Sequence, residues 1–475
     1  MATSSIKNAV YLNAAARYST LVLRLLFNAA LARILVPEDF GIVAVTMVFT
    51  TFFSLLSDMG LGAGIIQNKE LSRDDVGSIF AFSLRLGLVL MGAFAFFSFP
   101  MAHFYDKRAL VPVGMLLSVQ LFFNTLNVVP NALLLKQKEF KKVALRILCA
   151  CLVSGTVGIG LALAGLKYYA LVVQAILDAV FIFGWNYFST RPPMARKPRR
   201  ESLDKIRSYS GYLFGFNLIN YFARNLDNLL IGKVMGTAQL GHYDKSYKLM
   251  LYPVNNLTHV ITPVLHPILS EHQNDKAYIY GKYLQVVKVL SLLGAFITPF
   301  FWFASEEIIR ILYGGQWLPA IPCLRWMSLA MWAQMILSSS GTIFQSLGDT
   351  RRLLWSGGMN AVLVVVFIIA GLVEGSIEAV ARNVAAAYNL QFVATFYILV
   401  HLSFGFSTRN FLKRLLPDLG VMAAVACAGY ACTFLPELPL AGAFAAKTAA
   451  MGAAYLLALA LTRQLKPFIG LLFRK

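Results

Sequence analysis

Arginines and asparagines buried in apolar, helix-length stretches are the residues of this sequence best placed to do chemistry. The stretch RYSTLVLRLLFNAALARILVPEDFG, Arg17 to Gly41, sets Arg24 seven residues after Arg17 and Asn28 four residues later. The stretch NLINYFARNLDNLLIGKVMGTAQLG, Asn217 to Gly241, matches it without a gap 200 positions on. Arg24 aligns with Arg224, Asn28 with Asn228, Arg33 with Lys233 and Gly41 with Gly241. Steps of seven and four return to nearly the same helix face, so each copy carries one polar stripe. An arginine facing lipid at mid-depth costs about 3 kcal/mol or more, so these guanidinium groups are expected to face a bundle interior or a wet cavity.

A second stripe follows at once. Lys248, Tyr252, Asn255, His259, Thr262 and His266 succeed one another by four, three, four, three and four residues, with Lys245 just before them. Pro253, Pro263 and Pro267 interrupt the same segment, as membrane transporters tolerate where backbone lines a cavity. A cavity lined by Arg24, Asn28, Arg224, Asn228, Lys245, Lys248, Asn255 and His259 would bind an anion. The planar fork of arginine suits phosphate, so a pyrophosphate or an acidic sugar is expected rather than a cationic drug. Asp178, Asp227 and Asp58 are the candidate ion-coupling carboxylates, for protons or sodium. The competing role for all three is pairing with the arginines, which would lock helices together.

The elements that must position these residues follow from composition. The 475 residues are 58% hydrophobic and only 13% charged, with a mean hydropathy of +0.66. Soluble domains carry about 25% charged residues. Apolar runs near the ~20 residues needed to cross a bilayer recur throughout and predict an all-α polytopic membrane protein. About fourteen spans are expected, over 12–35, 41–66, 77–99, 111–134, 146–165, 168–189, 210–235, 241–269, 284–304, 319–345, 353–372, 378–402, 415–435 and 441–462. Alternate loops hold about 25 and about five Lys and Arg, which places both termini in the cytoplasm. The net charge of +20 thus lies in short loops and gives no sign of nucleic-acid binding. The repeat encloses about six spans, so its copies share one orientation, as in transporters built from parallel repeats. The domain reading is an N-terminal six-helix bundle over 1–189, a basic cytoplasmic linker over 190–207, a second six-helix bundle over 208–403, and two additional helices with a tail over 404–475.

Catalytic and metal chemistry find no support in the motifs. The five cysteines, Cys149, Cys151, Cys323, Cys427 and Cys432, lack zinc spacing. There is no P-loop, no dinucleotide fingerprint and no HExxH. No cleaved signal peptide is read at the N-terminus. A transporter without cofactor or metal is expected, rather than an enzyme.

The phrases LARILVPEDFGIVAVTMVFTTFFSLLSDMGLGAGIIQ, RNLDNLLIGKVMGTAQLGHYDKSYKLMLYP and FQSLGDTRRLLW resemble the Wzx-type polysaccharide flippases. These form the polysaccharide-transporter branch of the multidrug/oligosaccharidyl-lipid/polysaccharide exporter superfamily. The resemblance spans roughly residues 10–400. It implies two pseudo-symmetric six-helix bundles around a central cavity, two extra C-terminal helices, and alternating access. The implied cargo is an undecaprenyl-pyrophosphate-linked oligosaccharide, moved across the bacterial inner membrane for exopolysaccharide, capsule or O-antigen assembly. The protein would then act as a monomer among membrane lipids, between glycosyltransferases and a polymerase. The alternatives are a drug or cation antiporter of the same superfamily, which needs an acidic cavity, and a membrane polymerase or ligase, which needs a long outer loop.

Overall fold

The computed structural model describes residues 2–58, 60–68, 70–137, 139–195, 197–204, 221, 225–270, 273, 275–434, 436 and 438–473, with the side chains of 2–17, 140, 257–270 and 471–473 outside the description. The described chain is helical throughout and contains no strand among the described residues. It divides into two compact units, Met1–Gly241 and His242–Lys475.

The first unit contains α1 (Ala2–Ile34), α2 (Pro37–Asp58), α3 (Leu61–Gln67), α4 (Arg73–Tyr105), α5 (Leu110–Lys136), α6 (Phe140–Leu163), α7 (Tyr168–Thr190) and α8 (225–234), and ends in the first turn of α9 (Thr237–Ser270). Local chemistry sets the breaks. Ser72 starts α4 with a capping box in which its side chain accepts from the Asp75 N–H and Asp75 accepts from the Ser72 N–H. Between α6 and α7 the chain turns on Gly165 and Lys167, both at positive φ (83° and 48°), which is the short division expected beside Lys167. Span 41–66 is broken where Gly60 takes φ 78°, and the Asp58 carboxylate accepts from the Gly62 N–H at 3.2 Å to restart the helix as α3.

The second unit runs through α10 (Lys276–Phe303), α11 (Ser305–Leu312), α12 (Ala320–Ser328), α13 (Met331–Leu337), α14 (Ser340–Ser346), α15 (Thr350–Val373), α16 (Ile377–Phe396), α17 (Thr408–Ala431), α18 (Leu440–Leu461) and α19 (Leu465–Phe473). A π-helical stretch, Tyr397–Phe404, prolongs α16. Element boundaries repeat along the chain. The break from Ile34 to Pro37 recurs between residue 234 and Thr237. The limits of α5 and α6 recur 210 residues on, as Ala320–Ser346 and as α15. Lys141 and Lys142 therefore stand where Arg351 and Arg352 do.

Among the described residues ten helices are long and apolar enough to cross a membrane, or eleven if the bent pair Ala320–Ser328 and Met331–Ser346 is one span. The expected spans absent from that set are 12–35, 210–235 and 241–269. Most of 210–235 lies outside the described residues. The other two, within α1 and α9, carry the polar stripes, and polar side chains lower the apolarity by which a span is identified.

The two helices without a counterpart in the repeat are tied in by ion pairs. The Lys288 ammonium of α10 donates to the Asp418 carboxylate of α17, which is fully buried. Lys447 of α18 donates to Glu307 Oε1 of α11 at 2.5 Å and to the Phe303 carbonyl at 2.8 Å. Glu307 is only 6% exposed. Lys447→Ala would leave that carboxylate buried and unpaired, at a cost of about 3–5 kcal/mol. Thermal melting in detergent should show a large loss for Lys447→Ala and a smaller one for Lys447→Met with Glu307→Leu. Equal losses would mean that the pair does not hold α18.

Candidate functional site

The polar side chains of the first unit gather along α1, α5, α6 and α7. α1 packs on α6, and α6 and α5 both pack on α7. Gly155 allows the first of these approaches, since a Cβ there would fall 2.5 Å from the ring of Phe27, one turn from Arg24. Arg24 is exposed along α1. Its guanidinium lies near the Cys151 thiol of α6 and within electrostatic range of the Asp178 carboxylate of α7. Of the three carboxylates weighed as partners for the arginines, Asp178 is the one within electrostatic range of Arg24. Gln174, one turn before Asp178, lies against Gly158, where a Cβ would stand 3.2 Å from it.

Two turns further along α7, Asn186 is fully buried. Its side-chain carbonyl accepts from Arg146 of α6, and its Nδ2 donates to Asn127 Oδ1 of α5 at 2.7 Å. The second arm of Arg146 donates to Asn131 Oδ1 at 2.8 Å. Arg146 is 6% exposed and reaches its partners across three helices. Arg146 is the first residue of the expected span 146–165, close behind Lys141 and Lys142, and is not among the candidate residues of the sequence. Its signal was the pair Asn127 and Asn131, one turn apart on the same helix. At the positions of Arg146 and Asn186, 210 and 209 residues on, stand Ser356 and Thr395, whose hydroxyls meet at 3.1 Å. The two copies of the repeat therefore place different chemistry on one frame: a cation and amides in the first, hydroxyls in the second.

The other candidates are dispersed. Asp58 serves the α3 turn described above. On α8, Asp227 and Asn228 are buried, and Asp227 Oδ1 accepts from the Asn228 N–H at 2.8 Å. Arg224 lies outside the described residues. In the second unit Lys245 is 1% exposed, with its ammonium 4.9 Å from the Tyr313 ring centre and 5.5 Å from that of Trp317. It is enclosed by an aromatic wall rather than presented to open space, because it sits on the inner side of α9. Lys248, one residue short of a turn later, pairs with Asp244 at 2.6 Å. Asn255 is exposed, and the side chain of His259 lies outside the described residues.

The start of α2 meets the start of α9 within the first unit. A Cβ on Gly41 would overlap the Thr237 carbonyl oxygen, and a Cβ on Gly241 would overlap that of Pro37. The contact is reciprocal because 37 and 237, like 41 and 241, are equivalent positions of the repeat. Alongside it, Tyr105 of α4 donates to the Leu229 carbonyl of α8 at 3.2 Å, and Tyr221 donates to the Val48 carbonyl of α2.

Comparison with known proteins gives this arrangement a lineage. Residues 30–322 match the family described as "Polysaccharide biosynthesis protein". The lipopolysaccharide biosynthesis protein WzxC of Escherichia coli (strain K12) is 26% identical over 314 residues, 62% of this chain and 60% of that protein. The succinoglycan biosynthesis transport protein ExoT of Rhizobium meliloti (strain 1021) is 22% identical over 351 residues, 73% of this chain and 70% of its own length. Among solved structures, the lipid II flippase MurJ in an inward closed conformation superposes with a TM-score of 0.75 at 14% identity, over 96% of this chain and 100% of that one. The fold is thus that of a multi-pass membrane transporter. With more than half of its length matched, the chain belongs to the polysaccharide biosynthesis protein family, among the Wzx-type polysaccharide transporters that its repeated phrases resemble.

Proposed function

We propose that the protein is a flippase that carries undecaprenyl-pyrophosphate-linked oligosaccharide units across the bacterial inner membrane. The observation that carries this reading is the polar column of the first unit. Arg146, donating to Asn186 and Asn131, and the exposed Arg24, near Asp178, set cationic and amide groups along one column of helices. Guanidinium groups suit a pyrophosphate, and amides suit sugar hydroxyls. A polar head can cross only where such groups replace its water, because hydrocarbon charges several kcal/mol or more for an unpaired polar group. The lipid tail would stay in the bilayer.

The finer layout belongs to the same proposal. Fourteen spans form two six-helix bundles with two further helices, both termini are cytoplasmic, and the cargo serves exopolysaccharide, capsule or O-antigen assembly. The protein works as a monomer, between glycosyltransferases and a polymerase, by alternating access. Asp178, set against Arg24, is the group best placed to exchange a proton or sodium for cargo. A drug or cation antiporter would instead concentrate carboxylates in the column, where this chain has two arginines.

The test is lipid-linked sugar in a strain lacking the gene. Undecaprenyl-linked units should accumulate on the cytoplasmic leaflet, and the wild-type gene should clear them. Arg24→Ala with Arg224→Ala should insert normally and fail to clear them. Full clearance by the double variant, or an unchanged lipid pool with altered polymer length in the deletion, would refute the assignment.

A further inference from the structure

A cavity of about 620 Å³ opens in the second unit, away from the polar column, where α15 begins and α16 ends. Its lining includes Lys276 from the start of α10, Asp349, Arg351, Arg352 and Trp355 from the start of α15, and Ser403 from the π-helical end of α16. Three cations face one carboxylate. Arg352 donates to Asp349 Oδ2 at 2.8 Å, and the Ser403 hydroxyl donates to the same oxygen at 2.7 Å. Burial raises the Asp349 carboxyl, but the hydrogen bonds from Ser403 and Arg352 outweigh it and hold the group below the ordinary carboxylate range. Asp349 is therefore an anion committed to Arg352. Lys276 donates to the Ser403 carbonyl at 2.9 Å, which leaves two of its three N–H donors. Arg351 is exposed and has no hydrogen-bond or ion-pair partner among the described residues.

The π-helical stretch shapes the cavity wall. It ends at Gly405, at φ 82°, and the Phe406 N–H returns to the Val400 carbonyl at 2.9 Å. Such widened turns are rare and concentrate at functional sites. The internal repeat supplies a comparison. Glu139 and Lys142, 210 residues before Asp349 and Arg352, form the matching ion pair at 3.3 Å, with Lys141 in the place of Arg351. At the position of Trp355, however, stands Leu145, and α7 ends at Thr190 without a π-helical extension. The cations belong to the duplicated frame. The tryptophan and the widened turn belong to this site.

The rim is apolar. Trp355 is 70% exposed and Leu402, also in the lining, 44%. A soluble anion has no use for exposed indole and leucine, whereas a lipid brings acyl chain to meet them. Exposed tryptophan near the end of a spanning helix marks headgroup depth, and basic pockets between membrane helices take phospholipid head groups. We propose that this cavity binds the phosphate headgroup of an anionic bilayer phospholipid, with Arg351 and Lys276 on the phosphate oxygens and Trp355 against the root of the acyl chains. The site stands apart from the transport reading, because lipid retention can be measured whether or not cargo moves.

The experiment uses the full chain in phosphatidylcholine nanodiscs doped with cardiolipin or phosphatidylglycerol, with retained lipids counted by native mass spectrometry. Wild-type protein should keep an anionic lipid in preference to phosphatidylcholine. Arg351→Ala should weaken retention about fivefold, and Arg351→Ala with Trp355→Ala about tenfold or more. Arg351→Lys should keep most of it, and Lys413→Ala, outside the cavity, all of it. Melting in pure phosphatidylcholine checks that each variant is folded, and Trp355→Leu replaces any that is not. Equal retention by wild type and the cavity variants would overturn the proposal. So would full displacement of the lipid by millimolar inorganic phosphate, which would make this a site for a free anion.

Discussion

A protein carrying Gly41→Val is expected to reach the membrane, export no polymer, and expose Thr237. Position 41 has no space for a side chain, since even a Cβ would overlap the Thr237 carbonyl oxygen. Overpacking commonly costs about 1–3 kcal/mol where side chains can shift. Here the obstacle is backbone at the start of a helix, so the contact itself must open. Gly241→Val should behave in the same way, through the Pro37 carbonyl. The measurement is labelling of Thr237→Cys in a background lacking the five native cysteines. Thr237 is 2% exposed, so a maleimide should leave the cysteine untouched until Gly41→Val is added. Continued protection in the double variant would show that the seam between α2 and α9 had not opened, and would remove it from any account of transport.

Arg146→Leu should reduce both stability and export. The substitution removes the donors to Asn186 and Asn131 and leaves one buried and one part-buried carbonyl oxygen unmet. Each such group costs about 1–3 kcal/mol. Arg146→Lys keeps the charge but cannot reproduce the planar fork that reaches two asparagines, so it should melt between the other two proteins. Export should fall further than stability for Arg146→Lys if the column handles cargo. Export that tracks melting temperature across all three proteins would make Arg146 a purely structural residue.

Much of the frame was legible in the sequence because its breaks are chemical. The turn beside Lys167 and the matched helix starts at Pro37 and Thr237 follow from glycine or the repeat itself, whereas the restart after Asp58 interrupts what was expected as one span, 41–66. The bend between α12 and α13 was not legible. The sequence around Leu329 and Ala330, from Trp326 to Ala333, has no proline or glycine and only Ser328 as a polar residue, so nothing local marks the 53° change of direction. The column was half legible. Arg24 and Asp178 stood out as charges within apolar spans. Arg146 did not, because it opens the expected span 146–165 close behind Lys141 and Lys142 and so looks like a span-end residue, although its helix starts at Phe140. Lys245 and Lys248 looked equivalent in spacing. Only the packing around α9 separates a cation enclosed by Tyr313 and Trp317 from one paired with Asp244.

The paired glycines carry one more implication. Both positions of the clasp already hold the smallest residue, so an enlargement at one cannot be relieved by trimming the other. Relief must come from the main chain, through a longer or differently wound connection ahead of Pro37 or Thr237. A homologous transporter with a bulkier residue at either place should therefore carry a compensating insertion in the opposite connection, and one with neither glycine should lack the seam altogether.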